Sequence, residues 1–289
     1  MWTISKLTFK EMISKKIFLI TIIMTIVFLA LYGTAIYFAA KESANAAGAI
    51  QGTEAILMQK FFASQLLGVG LYFSSFITAL LAILSSVSAI SGEVASHQID
   101  TWLMRPISRA QFVLGKFIGL VILMMVYAGS LFFSIVLLHQ GIGGEWMALD
   151  FQPMQIIKAV SVFVIQPFVL IAFGILLSTR MTTLNAGIVC IILYGASFIG
   201  GFIEQLGAVI DKANLVNIGI ITSLIFPVDS MYRKMTVFLF ETSDNPLSIA
   251  QGGMFTSISS PSNLMVWYAV MYGIATVVFS IIFFKKRDV

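Results

Sequence analysis

The chain has 289 residues, of which 59% are hydrophobic and 10% charged, with a formal net charge of +4. Soluble domains carry about 25% charged residues. A water-soluble globule of this length is therefore excluded, because much of its exterior would have to be apolar. The small positive excess reflects where loops sit beside a bilayer rather than a nucleic-acid partner.

A spanning helix needs about 20 predominantly apolar residues. Charge-free runs of that length predict six spans, at 17–40, 67–90, 117–138, 159–179, 181–203 and 264–284. No Asp, Glu, Lys or Arg falls inside any of them. The first run is too long for a signal-peptide core and no small-residue cleavage site follows, so it is expected to stay in place. Ahead of it, residues 2–16 have a weak helical pattern. Trp2, Phe9 and Ile13 align on one side, while Ile4 and Leu7 fall on the other.

Orientation follows from Lys and Arg in the flanks. With the N-terminus in the cytoplasm, Lys6, Lys10, Lys15, Lys16, Arg105, Arg109, Lys116, Arg180, Lys285, Lys286 and Arg287 lie inside. Lys41, Lys60, Lys158, Lys212, Arg233 and Lys234 then lie outside. Both termini are thus expected on the cytoplasmic side of the cell membrane. Loops 41–66, 139–158 and 204–263 are expected outside. The last is long enough to need structure of its own and includes a mixed-charge stretch, 229–241. Within it, 213–228 is charge-free and closed by Pro227, which fits a re-entrant or interfacial helix better than a span. Counting it as a span would put Lys285, Lys286 and Arg287 outside.

The most informative stretch, 91–116, joins the second and third spans on the cytoplasmic side. Placed on one helix over 93–104, Glu93, His97 and Asp100 share a face, and Ala95, Ile99 and Trp102 share the opposite one. This predicts a short amphipathic helix lying on the membrane surface or on the protein's own base. Pro106 disfavours helix at Arg105. Ser108 is a candidate N-cap for a new helix running into the third span. Such an elbow suits docking of a soluble partner, and it equally suits a solvated connector.

Glu93, then Asp100-Thr101, Leu103, Arg105-Pro106-Ile107-Ser108-Arg109 and Gly115-Lys116 resemble the cytoplasmic signature of the type-2 permeases of ATP-binding-cassette transporters. Asp100 stands where that family often has Gly. Lys10-Glu11 and Lys15-Lys16 before the first span, and Phe226-Pro227-Val228-Asp229 after the fifth, support the resemblance, which covers essentially the whole chain. It implies an all-α polytopic permease with six transmembrane helices, an N-terminal elbow helix, a cytoplasmic coupling helix over 93–104 and an extracellular re-entrant segment. It further implies export driven by a separate cytoplasmic ATPase subunit, a second permease subunit in a homo- or heterodimer, and contact with membrane lipids. Glu93, His97, Asp100 and Thr101 would meet the ATPase, and Arg105, Pro106 and Arg109 would shape the elbow.

No catalytic, metal or cofactor site is expected in the chain, and ATP is expected in the partner subunit. Cys190 is alone, and His97 and His139 are too far apart for a metal cluster. Gly115-Lys116 lacks the remainder of a phosphate loop, since Ala110 and Phe117 occupy the positions of Gly and Ser/Thr. Gly115 and Gly119, and Gly195, Gly200 and Gly201, read as close-packing points. Ser74, Ser75, Ser85 and Ser86 are expected to bond back to their own helix. Ion-coupled transport normally leaves a charged group inside a span, and the six runs lack one. A membrane scaffold or sensor docking another cytoplasmic factor, and a stand-alone secondary transporter, are the competing readings.

Overall fold

The structure, a computed structural model, describes residues 2–46, 53–98, 108–240, 257 and 259–286. Among these it has eleven helices and no strand: α1 (Trp2–Ser14), α2 (Lys16–Ala46), α3 (Thr53–Val87), α4 (Ser91–Ala95), α5 (Arg109–Met147), α6 (Pro153–Phe163), α7 (Ile165–Ser178), α8 (Thr183–Val209), α9 (Ala213–Ile225), α10 (Asp229–Phe240) and α11 (Asn263–Lys285). Six stretches are long and apolar enough to cross a membrane: Lys16–Ser43, Met58–Ala95, Arg109–Gly144, Pro153–Ser178, Thr183–Val209 and Asn263–Lys285. They match the six expected spans in order.

Local chemistry accounts for the boundaries. Ser108 caps α5 as expected: its hydroxyl accepts from the Gln111 N–H at 3.2 Å, and Gln111 reaches back to the Ser108 N–H. Gly144, at φ 56°, bends the far end of α5 through a conformation that side chains rarely adopt. The fourth span is broken at Val164 into α6 and α7. Pro167 is the cause: it has no N–H to give the Phe163 carbonyl, and its ring crowds that carbonyl.

α3, α5 and α7 form the centre, around Leu67, Leu71, Ile83, Phe112, Phe132 and Leu170, all buried. α2 lies outermost and turns Leu19, Ile23, Val27 and Leu31 outward, the aliphatic surface that lipid accepts. α1, α4, the start of α5, and the ends of α7 and α11 share one end of the bundle, here the base. Arg109 ties two of these, donating from Nη1 to the carbonyls of Lys285 at 3.1 Å and Phe284 at 3.4 Å.

The far end departs from the expected loop. The fifth span does not stop at 203: α8 continues to Val209 and carries Glu204 with it. α9 and α10 form a pair bent by 108°, with Pro227 in the turn. The charged stretch expected in an outside loop is therefore a helix, α10, with Asp229 at its start and Arg233 and Lys234 buried.

Candidate functional site

The base is assembled from polar groups that a span cannot leave alone. Lys116 lies two turns into α5 with apolar neighbours on both sides. Its side chain is 4% exposed, and a lone ammonium there would lose several kcal/mol of hydration. Two carboxylates meet it: Glu11 of α1, at 2.9 Å, and Glu93 of α4. The Phe112 ring lies 5.9 Å from the same ammonium. Glu11 also pairs with Lys15 at 2.9 Å. Burial pushes the Glu11 carboxyl up, but Lys116 and Lys15 more than offset that and hold it below its ordinary value. Three segments distant in sequence are thus fastened at one ammonium.

Around this cluster, α1 lies against α5. Ile4, Ser5, Thr8 and Met12 are buried, while Trp2 and Ile13 are exposed. The two sides read from the sequence hold only in part: Ile4 faces the protein with Met12, and Trp2 and Ile13 face outward, but Leu7, expected beside Ile4, is exposed and Phe9, expected beside Trp2, packs against the core. The approach is close because Gly119 has no side chain; a Cβ there would meet the Ser5 carbonyl oxygen at 2.6 Å.

Ser178, at the end of α7, holds the turn between α3 and α4. Its hydroxyl donates to the Val87 carbonyl at 2.9 Å and accepts from the N–H groups of Ile90 at 3.1 Å and Ser91 at 2.9 Å. Ser91 Oγ in turn lies 2.7 Å from Thr183 Oγ1 at the start of α8. Ser178→Ala is expected to strand the two buried N–H groups, since Val87 keeps a bond from Ser91 Oγ. Each orphan costs on the order of 1–3 kcal/mol. Faster amide exchange at residues 90 and 91, with a lower melting temperature, is the readout.

The single helix expected over 93–104 is corrected. α4 ends at Ala95, and His97 takes a left-handed conformation at φ 56°, so Glu93 and His97 do not share a helical face. Glu93 is 6% exposed and points to Lys116 rather than outward. The helical wheel treated Glu93 as a solvated charge; the buried ammonium eight residues into α5 needed a counter-ion more. Ala95, Ser96, His97 and Gln98 are exposed. Arg109 opens α5 and bonds α11. Asp100, Thr101, Arg105 and Pro106 lie outside the described residues. Glu11, Lys116 and Ser178 were not singled out as interacting groups. A lysine embedded in Phe-Val-Leu-Gly-Lys-Phe-Ile-Gly-Leu was the available signal for the first two.

A second polar cluster sits toward the far end; the six charge-free runs keep no charge within them, but α8 extends past its run and carries Glu204 into the cluster. Arg233 of α10 donates from Nη2 to Glu204 Oε2 of α8 at 2.8 Å and to Ser223 Oγ of α9 at 3.2 Å, and from Nε to Asp229 Oδ2 at 2.9 Å. Ser259 Oγ donates to the other Glu204 oxygen at 2.8 Å. Ser197 accepts from the Asp229 N–H at 3.3 Å and donates to the Phe226 carbonyl at 2.7 Å. Ser197 lies twelve residues, or about 18 Å, from the end of α8, so the turn of the bent pair reaches deep beside that span. Gly201 makes room for Asp229, and Gly207 for Leu215 of α9. Of the serines expected to bond to their own helix, Ser74, Ser85 and Ser86 do so, whereas Ser75 donates to Gln166 of α7 at 2.8 Å.

The architecture is that of a multi-pass membrane protein with one polar assembly at its base and another on a bent helix pair. No curated protein matches the chain. The family model described as "ABC-2 family transporter protein" matches residues 2–289. With that match spanning nearly the whole length, and with six apolar helices in the expected order, the chain belongs to the ABC-2 family of transporter proteins.

Proposed function

We propose that the chain is the membrane-spanning permease subunit of an ATP-binding-cassette exporter, driven by a separate ATPase at its base. The observation that carries this is the mounting of the segment 91–98. Its inner side is pinned to α1 and α5 through Glu93, Glu11 and Lys116 and to α7 through Ser178. Its outer side, Ala95 to Gln98, is open to a partner. A push on that segment would be delivered to three helices at once.

In this reading the base and both termini are cytoplasmic, in the cell membrane, with α1 as an elbow helix at its surface. The Lys and Arg bias supports that side. Residues 91–98 begin the coupling element; His97, Asp100 and Thr101 would meet the ATPase, with Arg105, Pro106 and Arg109 shaping its return to α5. Glu93 supports the element from within instead of touching the partner. A second permease subunit, identical or not, completes the pathway. ATP-driven approach of two ATPases would bring the two coupling elements together and tilt the spans, with α9 and α10 as the re-entrant segment on the outer side.

The test is a pull-down of the C-terminally tagged chain from native membranes in mild detergent, with co-purifying chains identified and counted. An ATPase subunit is expected about one to one. Ala95→Trp, a bulky group at an exposed position, is expected to remove the ATPase without changing the elution volume of the permease. Recovery of the chain alone, or with a partner that is not an ATPase, would sink this reading.

A further inference from the structure

The base carries far more positive than negative charge. Its segments 1–16, 91–116, 179–182 and 285–289 hold eleven Lys and Arg, and their acidic side chains are Glu11, Glu93, Asp100 and Asp288. Seven positive charges remain when all four carboxylates are set against the eleven. The rest of the chain has the opposite balance, nine Asp and Glu against six Lys and Arg. The excess therefore belongs to the base alone, and no pairing within the chain can remove it.

One corner of the base is shaped as well as charged. Arg180 lies in the turn between α7 and α8, and its guanidinium sits over the Phe283 ring of α11, 4.8 Å from the centroid. Phe279, one turn deeper in the membrane on α11, continues the column, with its centroid 6.3 Å from that of Phe283. Phe279 is exposed, as are Ile282 on α11 and Leu184 at the start of α8. Arg180 is itself exposed and makes no hydrogen bond or ion pair among the described residues. A guanidinium resting on a ring keeps its N–H groups for an oxyanion. Lys285 and Lys286, exposed just beyond Phe283, add two charges. The carbonyls of Phe284 and Lys285, whose partial negative charge opposes an anion, already receive Arg109. A cation at headgroup level, above an aromatic column open to acyl chains, complements both halves of a phospholipid. An acidic protein surface would meet the charge but leave Phe279 and Leu184 uncovered.

We propose that the corner formed by Arg180, Phe283 and Phe279, with Lys285 and Lys286, binds an anionic phospholipid, its phosphate on Arg180 and an acyl chain along Phe279. A zwitterionic lipid gains the same ring contacts, but its headgroup cation is repelled by the excess charge around it, so the corner selects the anionic one. The site needs no ATPase and stands apart from the permease reading above.

Native mass spectrometry of the full-length chain tests this, with detergent micelles titrated with phosphatidylglycerol and, separately, with phosphatidylcholine of the same acyl chains. The first phosphatidylglycerol is expected to bind at least about five-fold more tightly than the first phosphatidylcholine, the effect of roughly one cation facing an anionic headgroup. Arg180→Gln is expected to abolish that preference with the melting temperature unchanged, because Arg180 has no hydrogen bond to lose. Lys6→Gln with Lys10→Gln takes two charges from exposed positions of α1 and is expected to leave the first adduct as it was. Inorganic phosphate in large excess, at constant ionic strength, is expected not to displace the lipid. Equal binding of the two lipids, a preference that survives Arg180→Gln, or an α1 double variant as weak as Arg180→Gln would overturn the proposal. Displacement by inorganic phosphate would overturn it as well, since it marks an anion site without a lipid. So would a co-purifying protein lost on Arg180→Gln in the absence of any lipid preference, which would give the corner to a protein partner.

Discussion

Arg233→Met is expected to be the most damaging single substitution among the described residues. The guanidinium is 3% exposed and holds Glu204 of α8, Ser223 of α9 and Asp229 of α10 together. Its removal leaves two buried carboxylates facing each other without a counter-ion. Breaking a buried pair from one side costs about 3–5 kcal/mol. The loss is expected to fall on the bent pair, because α9 is mainly apolar and meets α8 closely through Gly200 and Gly207, while Gly201 of α8 admits Asp229 of α10. The triple variant Arg233→Met, Glu204→Gln, Asp229→Asn removes all three charges together and is expected to recover most of that loss. Unfolding titrations of the parent chain and the two variants in mixed micelles give the comparison. A triple variant no more stable than Arg233→Met alone would mean that the bonding geometry, rather than the unpaired charge, is what the hairpin depends on.

Lys116→Met is expected to have the second-largest effect, for the same reason at the opposite end. The ammonium is the common partner of Glu11 and Glu93. Without it, Glu93 has no ion-pair partner among the described residues, and one of its oxygens already lacks a hydrogen bond among them. A destabilisation of about 3–5 kcal/mol is expected. Glu11 behaves differently: its side chain is 40% exposed and retains Lys15, so it can turn to water. Glu93→Gln added to Lys116→Met is therefore expected to restore most of the stability, whereas Glu11→Gln added to Lys116→Met is expected to restore little. Double-mutant cycles on the two pairs measure this. A larger coupling to Glu11 than to Glu93 would reverse the assignment of the inner partner. Restored stability need not restore coupling. If α4 drives α1 and α5 through this cluster, the uncharged double variant is expected to fold, bind its ATPase and transport poorly.

The polar clusters at the two ends differ in how visible they were beforehand. Glu93 and Lys116 both lie in the signature segment, and Glu11 lies in the N-terminal resemblance, yet nothing in their spacing says that they meet. They are separated by 82 and 23 residues along the chain, and only the docking of α1 across α5 brings Glu11 to the others. Arg233 and Glu204 read as loop charges because the charge-free run ends at Ile203 and helix continuation cannot be inferred from apolarity once a carboxylate interrupts it. A buried ion pair hides its members from a hydropathy reading: each residue looks solvated until its partner is known.

The sequence by itself determined the number and order of the spans, the start of α5 at Ser108, and the separate character of 213–228. These are set locally, by the length of an apolar run against the thickness of a bilayer, by a side chain capping its own helix, or by a missing N–H. Only the tertiary structure decided which way Glu93 points, which groups surround Arg233, and which ring lies under Arg180. Those depend on charges and rings from distant segments meeting in a low-dielectric interior, where an unpaired ionic group costs far more than any local preference for helix or turn.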